Sequence, residues 1–189
     1  MLCKLQQPRS AYTIDASDRL IDVNAAFVAS LPSGFDISTP EQLIGRSLWD
    51  FVPGVLPRQL WQVLLRRVRN IAAPVFIPMR TDSPSERRII DVELHPLGND
   101  EVRHVHQSIW WEPRPLVELL DPSRLRDGRS VARCAWCARI RVRLGTWVEI
   151  EEAVQTLGLA STATLPSIED SACISCKQSI LKTFPARAA

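Results

Sequence analysis

The stretch DRLIDVNAAF, Asp18 to Phe27, decides how the rest of the chain is read. Arg19 to Val23 is a short β-favouring run. Ala11 to Asp15 is another, and between them Asp15-Ala16-Ser17-Asp18 is rich in side chains that bond their own backbone and favour turns. The spacing predicts a hairpin. Asn24 then caps a short helix, because its amide oxygen can accept from the orphan N–H groups of Ala26 or Phe27. Pro32 and Gly34 mark where that helix stops.

Working outward, EQLIGRSLWDFVPG leads into LPRQLWQVLLRRVRN, where Leu56, Leu60, Leu64 and Val68 recur every fourth residue. That period predicts an amphipathic helix with Pro57 in its first turn, where a missing N–H costs nothing. Its Arg58, Arg66 and Arg69 read as a solvated face. Three β-like runs follow, VFIPMR, RRIIDVELHPL and EVRHVHQSIWWEP, and Gly98-Asn99-Asp100 supplies a hairpin connection between the last two. Ile90, Val92 and Leu94 alternate with Ile89, Asp91, Glu93 and His95, so one face is buried and the other wet. Val102, His104 and His106 share one face of the last run.

Two strands, several helices and three strands predict an α+β domain around a five-stranded antiparallel sheet with helices on one face. In this order, DRLIDVNAAF, IGRSLWDFVPG and the strands ending near Trp111 resemble a PAS domain, covering residues 11–114. The resemblance implies a concave sheet whose inner face, closed by helices, accepts a small ligand. It also implies an outer face or flanking helix that mediates dimerisation. Residues 115–129, PLVELLDPSRLRDGR, read as a short helix and a polar exit, with a boundary between Arg124 and Arg129.

Residues 130–184 carry two CxxC pairs, Cys134 with Cys137 in CAWC and Cys173 with Cys176 in CISC. The segment reads as two short strands around the CAWC turn, a helix opening near Val148, and a final helix over KQSILKTF. A CxxC turn lets two thiolates converge on one ion, and two such turns complete a tetrahedron. Zinc is the expected cofactor. Iron, mononuclear or as a cluster, suits the same four thiolates, and reversible disulfides or free buried thiols stay open. A segment this small has a thin core, to which a bound ion adds on the order of 10 kcal/mol of folding free energy. Arg133, Arg139 and Arg141 are placed to offset the thiolate charge, and Trp136 and Trp147 to pack around the site. Cys3 stands apart as a terminal thiol.

The pattern Cys134-x-Trp136-Cys137-x-x-Ile140-Arg141, then Trp147 and Glu151, then Cys173 and Cys176, is similar to the zinc-finger-like module that follows PAS and other sensory domains in bacterial signalling proteins. Members of that module often carry Ser-His-Gly before the second pair. This chain has Asp170-Ser171-Ala172, so no role is carried over for that histidine.

Several classes drop out. Neither CxxC is followed by histidine, so a c-type haem attachment is excluded; Ala138 and Lys177 hold those places. No GxGxxG, Walker or HExxH motif is present, and no catalytic constellation is found. His104 and His106 at strand spacing are weighed as metal or haem ligands and read instead as satisfied or exposed side chains. With 23 basic against 21 acidic residues, nothing demands a polyanionic partner, and nucleic acid is not expected, although RCAWCARIRVR keeps a zinc-ribbon nucleic-acid binder as an alternative. No apolar run spans a membrane and no leader is seen, so a cytoplasmic location is expected. The expectation is a non-enzymatic sensory protein working through a protein partner or a second copy of itself, with a redox or oxygen sensor holding iron at the same cysteines as the alternative.

Overall fold

The computed structural model describes residues 9–31, 36–160 and 162–182. Cys3, the helix stop at Pro32 and Gly34, and the end of KQSILKTF lie outside the described residues.

The N-terminal hairpin forms as its turn chemistry dictates. Strands β1 (Ser10–Ile14) and β2 (Leu20–Val23) pair antiparallel, with Tyr12 opposite Val23. The Asp15 carboxylate accepts from the N–H groups of Ser17 (2.8 Å) and Arg19 (2.9 Å), and Asp18 takes the left-handed conformation that completes the turn. Helix α1 (Ala25–Ser30) is capped as the sequence predicts: Asn24 Oδ1 accepts from Phe27 N–H at 2.9 Å. The same oxygen accepts from Ala11 N–H at 3.0 Å, which stitches the cap to β1.

Helix α2 (Val55–Ile71) buries Leu60, Leu64 and Val68 along the predicted stripe, and Leu65 widens it. Strands β3 (Val75–Arg80), β4 (Glu86–Pro96) and β5 (Val102–Pro113) complete an antiparallel sheet of five strands in the order β2-β1-β5-β4-β3. β1 pairs with β5 so that Tyr12 faces His104 and Ile14 faces Val102. The α+β reading therefore holds. EQLIGRSLWDFVPG forms short 3₁₀ turns at Pro40–Gln42 and Leu48–Asp50.

The C-terminal part departs further from expectation. PLVELLDPSRLRDGR holds one 3₁₀ turn, Glu118–Leu120, and no α-helix; strand β6 (Arg126–Cys134) already opens within the stretch expected to be a polar exit. The Arg126 guanidinium donates to the carbonyls of Leu119, Asp121 and Pro166, which gives that charged residue a partly buried place at the strand's start. β7 (Ile140–Arg143) follows the CAWC turn as expected. β8 (Thr146–Val148) was not expected, and it displaces the opening of α3 (Ile150–Thr156) by two residues. β9 (Leu165–Ser171) was also unforeseen, and it pairs with β6 in parallel. The second sheet runs β8-β7-β6-β9, and α4 (Ile174–Lys182) closes the described chain.

By contacts the chain divides into two compact units. Residues 1–52, 65–78 and 90–109 form the first, whose buried side chains include Ile14, Leu20, Phe27, Leu43, Leu65, Val68, Leu94 and Val102. Residues 53–64, 79–89 and 110–189 form the second, centred on Val117, Leu119, Ile140, Ile150, Leu159 and Leu165.

Candidate metal centre

Two parallel neighbours, β6 and β9, each end in a cysteine pair. Cys134 is the last residue of β6 and lies opposite Ser171, the last residue of β9. The CAWC turn doubles back at once: Cys134 N–H donates to the Arg139 carbonyl (2.8 Å), Ala138 N–H donates to the Cys134 carbonyl (2.9 Å), and Ala138 takes a positive φ of 61°. Ala135 N–H donates to the Ser171 carbonyl at 2.9 Å, tying this turn to β9. On the other side Cys173 precedes α4 and Cys176 sits in its first turn, where unpaired N–H groups and the helix dipole favour negative sulfur. Thus a strand pairing far apart in sequence brings together what the sequence could only propose.

The sulfurs of Cys134, Cys137, Cys173 and Cys176 all lie within 4.8 Å of one another, and Cys137 Sγ is 3.8 Å from Cys173 Sγ. Four thiolates around one ion with metal–sulfur bonds of about 2.3 Å stand about 3.8 Å apart, so the cluster has the size of a tetrahedral site. Backbone N–H groups point at the sulfurs, from Cys173 to Cys134 Sγ and from Cys176 to Cys173 Sγ, both at 3.4 Å. Cys134 and Cys173 are buried, Cys137 and Cys176 half-buried. These four residues could hold a metal ion.

The electrostatics of the bare thiols favour a cation. Hydrogen bonds from the Cys137 and Cys176 thiols hold the Cys134 thiol far below its ordinary value. The same contact pushes Cys137 up to about 12, and contact with Cys134 and Cys137 pushes Cys176 up as well. Sulfurs this close cannot all ionise unless a positive ion sits among them.

The arginines expected to offset the thiolate charge each have another partner as well. Arg133 pairs with Asp170 (Nε–Oδ1 2.9 Å), Arg139 with Glu149 (3.0 Å), and Arg141 lies over the Trp147 ring at 5.9 Å. Of the three, Arg139 has its pKa raised first by Glu149 and further by Cys137 and Cys173. Glu149 also accepts from Arg80, which pairs in turn with Asp82, and Arg114 joins Asp82 to Glu151. Sequence reading placed Glu151 in a motif but found neither Asp82 nor Arg80, which stand more than 50 residues before the first CxxC pair and carry no local signal. Asp170, three residues before the second cysteine pair, serves as the partner of Arg133.

Comparison with protein families matches residues 6–110 to the PAS fold. The chain belongs to the PAS fold family. None of the curated proteins compared with it matches. The PAS match stops before Cys134, so the cysteine pairs lie beyond it. Within the PAS-matched residues, His104 is fully buried and stacks on Tyr12, with centroids 4.4 Å apart; Tyr12 also meets His106 edge-on at 5.6 Å. The reading of these histidines as satisfied or exposed is corrected at His106, whose buried Nε2 has no hydrogen-bond partner among the described residues. Burial pushes His106 down to about 4, and burial, with His106 and Arg69 adding to it, holds His104 well below its ordinary value. Both are neutral imidazoles at pH 7, and no third ligand-type side chain groups with them in a metal cluster among the described residues.

Proposed function

We propose that this PAS protein is a non-enzymatic regulator whose sensory domain is joined to a structural zinc centre held by the thiolates of Cys134, Cys137, Cys173 and Cys176. The convergence of the four sulfurs within 4.8 Å carries this reading. Four protein ligands leave no open coordination position, which suits a structural ion rather than a catalytic one. Persistence of the thiols needs a reducing compartment, so a cytoplasmic location fits the site. Output through a protein partner or a second copy of the chain accords with the lack of a catalytic constellation in the sequence. A nucleic-acid role finds less support, because Arg133 and Arg139 are engaged by Asp170 and Glu149.

Elemental analysis of the untagged chain with an absorption spectrum tests the proposal. Colourless protein with one zinc per chain is the expected result. Iron with visible absorption that bleaches in air would replace zinc by a redox centre, and protein without metal would overturn the reading.

A further inference from the structure

Helix α2 lies within the PAS-matched residues, yet its first half belongs to the compact unit that contains the cysteines. Two of its contacts explain why. Gly54, whose carbonyl accepts from Arg58 N–H as the helix starts, has a φ of +83°. A Cβ on it would overlap the carbonyl oxygen of Asp170, so the backbone of Gly54 lies directly against β9, three residues before Cys173. Seven residues on, about 10 Å along the helix axis, Trp61 stacks on Trp136 with centroids 6.1 Å apart and planes at 30°. Trp136 sits between Cys134 and Cys137 and is itself buried. A third contact fixes the same turn from β3: Arg80 N–H donates to the Trp136 carbonyl at 2.8 Å.

Helix α2 thus touches the first cysteine turn through Trp61, and Gly54, the residue just before it, touches the strand feeding the second. From this bracing we infer that Gly54 and Trp61 are positioning residues of the four-sulfur centre, so that the ion's affinity depends on α2 and the order of α2's first half depends on the ion. The inference rests on the reading of the cysteines as metal ligands. Its physical basis is geometric: a tetrahedral site binds tightly when its ligand turns are held in place before the ion arrives. Coupling of this kind is reciprocal, because whatever α2 contributes to ion binding the ion returns to α2.

The test uses the whole chain. Zinc affinity is measured by competition with a colorimetric chelator for the wild type, Trp61→Ala, Trp61→Phe and Gly54→Ala, and the visible bands of the cobalt(II)-loaded forms report the ligand geometry. Trp61→Ala and Gly54→Ala are expected to weaken zinc at least tenfold and to shift the cobalt bands, with Trp61→Phe restoring most of both. Amide hydrogen exchange of the wild type, with and without chelator, supplies the reciprocal readout and decides the matter should a variant fail to fold. Faster exchange in residues 55–64 on zinc removal, with β1 and its neighbour β5 unchanged over residues 10–14 and 102–106, is expected. Affinities within twofold of the wild type, or exchange in 55–64 that is unmoved or rises equally in 10–14, would overturn the inference. Zinc content of the wild type, measured alongside, separates this failure from failure of the metal reading itself.

Discussion

His106 shows at the scale of one residue what burial without a charged partner does. Its imidazole takes a proton near pH 6.5 in the unfolded chain but only at about 4 in the folded one. Below pH 6.5 the unfolded state therefore binds more protons, and stability falls as the pH drops from about 6.5 towards 4. From pH 7 to pH 5 this one group removes about 2 kcal/mol, since each pH unit inside that window is worth about 1.4 kcal/mol. Urea denaturation at the two values should show the loss, and His106→Gln should shrink it by about that amount while His104, shifted the same way, keeps a remainder. The alternation of Val102, His104 and His106 was legible because strand period alone assigns them to one face. The full burial of Val102 and His104 was not, because β5 lies between β1 and β4 only once the sheet has closed. Asn24, by contrast, needed only its neighbours, and its cap was readable from a few residues.

At the scale of elements, local signals and long-range pairing part company. The hairpin of β1 and β2, and helix α2, follow from turn chemistry and period. β9 does not: LPSIEDS contains a proline and two acidic residues, and it is a strand because β6 offers it a parallel edge from a distant part of the sequence. The ends of β3 and β5 meet in an ion network whose centre is Asp82, 1% exposed at its side chain, beside Arg114 at 3%. Removing the carboxylate leaves a buried guanidinium short of its partner, and Asp82→Ala is expected to cost about 3 kcal/mol. A shift of the urea midpoint with an unchanged slope is the measurement, and a loss below about 1 kcal/mol would mean that Glu151 and the Ser83 carbonyl suffice for Arg114. Glu149 and Glu151 act in the same sense. Burial raises each, but it is outweighed at Glu149 by the bonds from Arg80 and Arg139 and at Glu151 by its own backbone N–H and then by Arg87 and Arg114; both stay below the ordinary carboxylate value, so their contribution fades as acid protonates them.

For the whole molecule, the division into two units predicts separable responses. Cys134→Ser should release the metal and expose residues of the second unit to protease, while near-ultraviolet and amide signals of the β1–β5 pairing persist. Limited proteolysis with mass spectrometry and metal analysis checks this, and a variant that keeps one equivalent of metal and native resistance would contradict it. Four spaced cysteines announced the site in the sequence. What brings them together did not show there: a parallel strand pair, a helix lying among PAS-matched residues, and an ion network all join positions that no local pattern connects.

The unequal cover of the sulfurs has a chemical consequence. Cys137 and Cys176, one from each turn, stand nearer to water than Cys134 and Cys173. An alkylating reagent or a competing chelator therefore reaches the two less covered sulfurs first and unfastens one arm of each turn, leaving the inner two sulfurs gripping until the end. Timed iodoacetamide labelling of the whole chain should find Cys137 and Cys176 carboxamidomethylated first, so that stripping proceeds like the opening of a clasp.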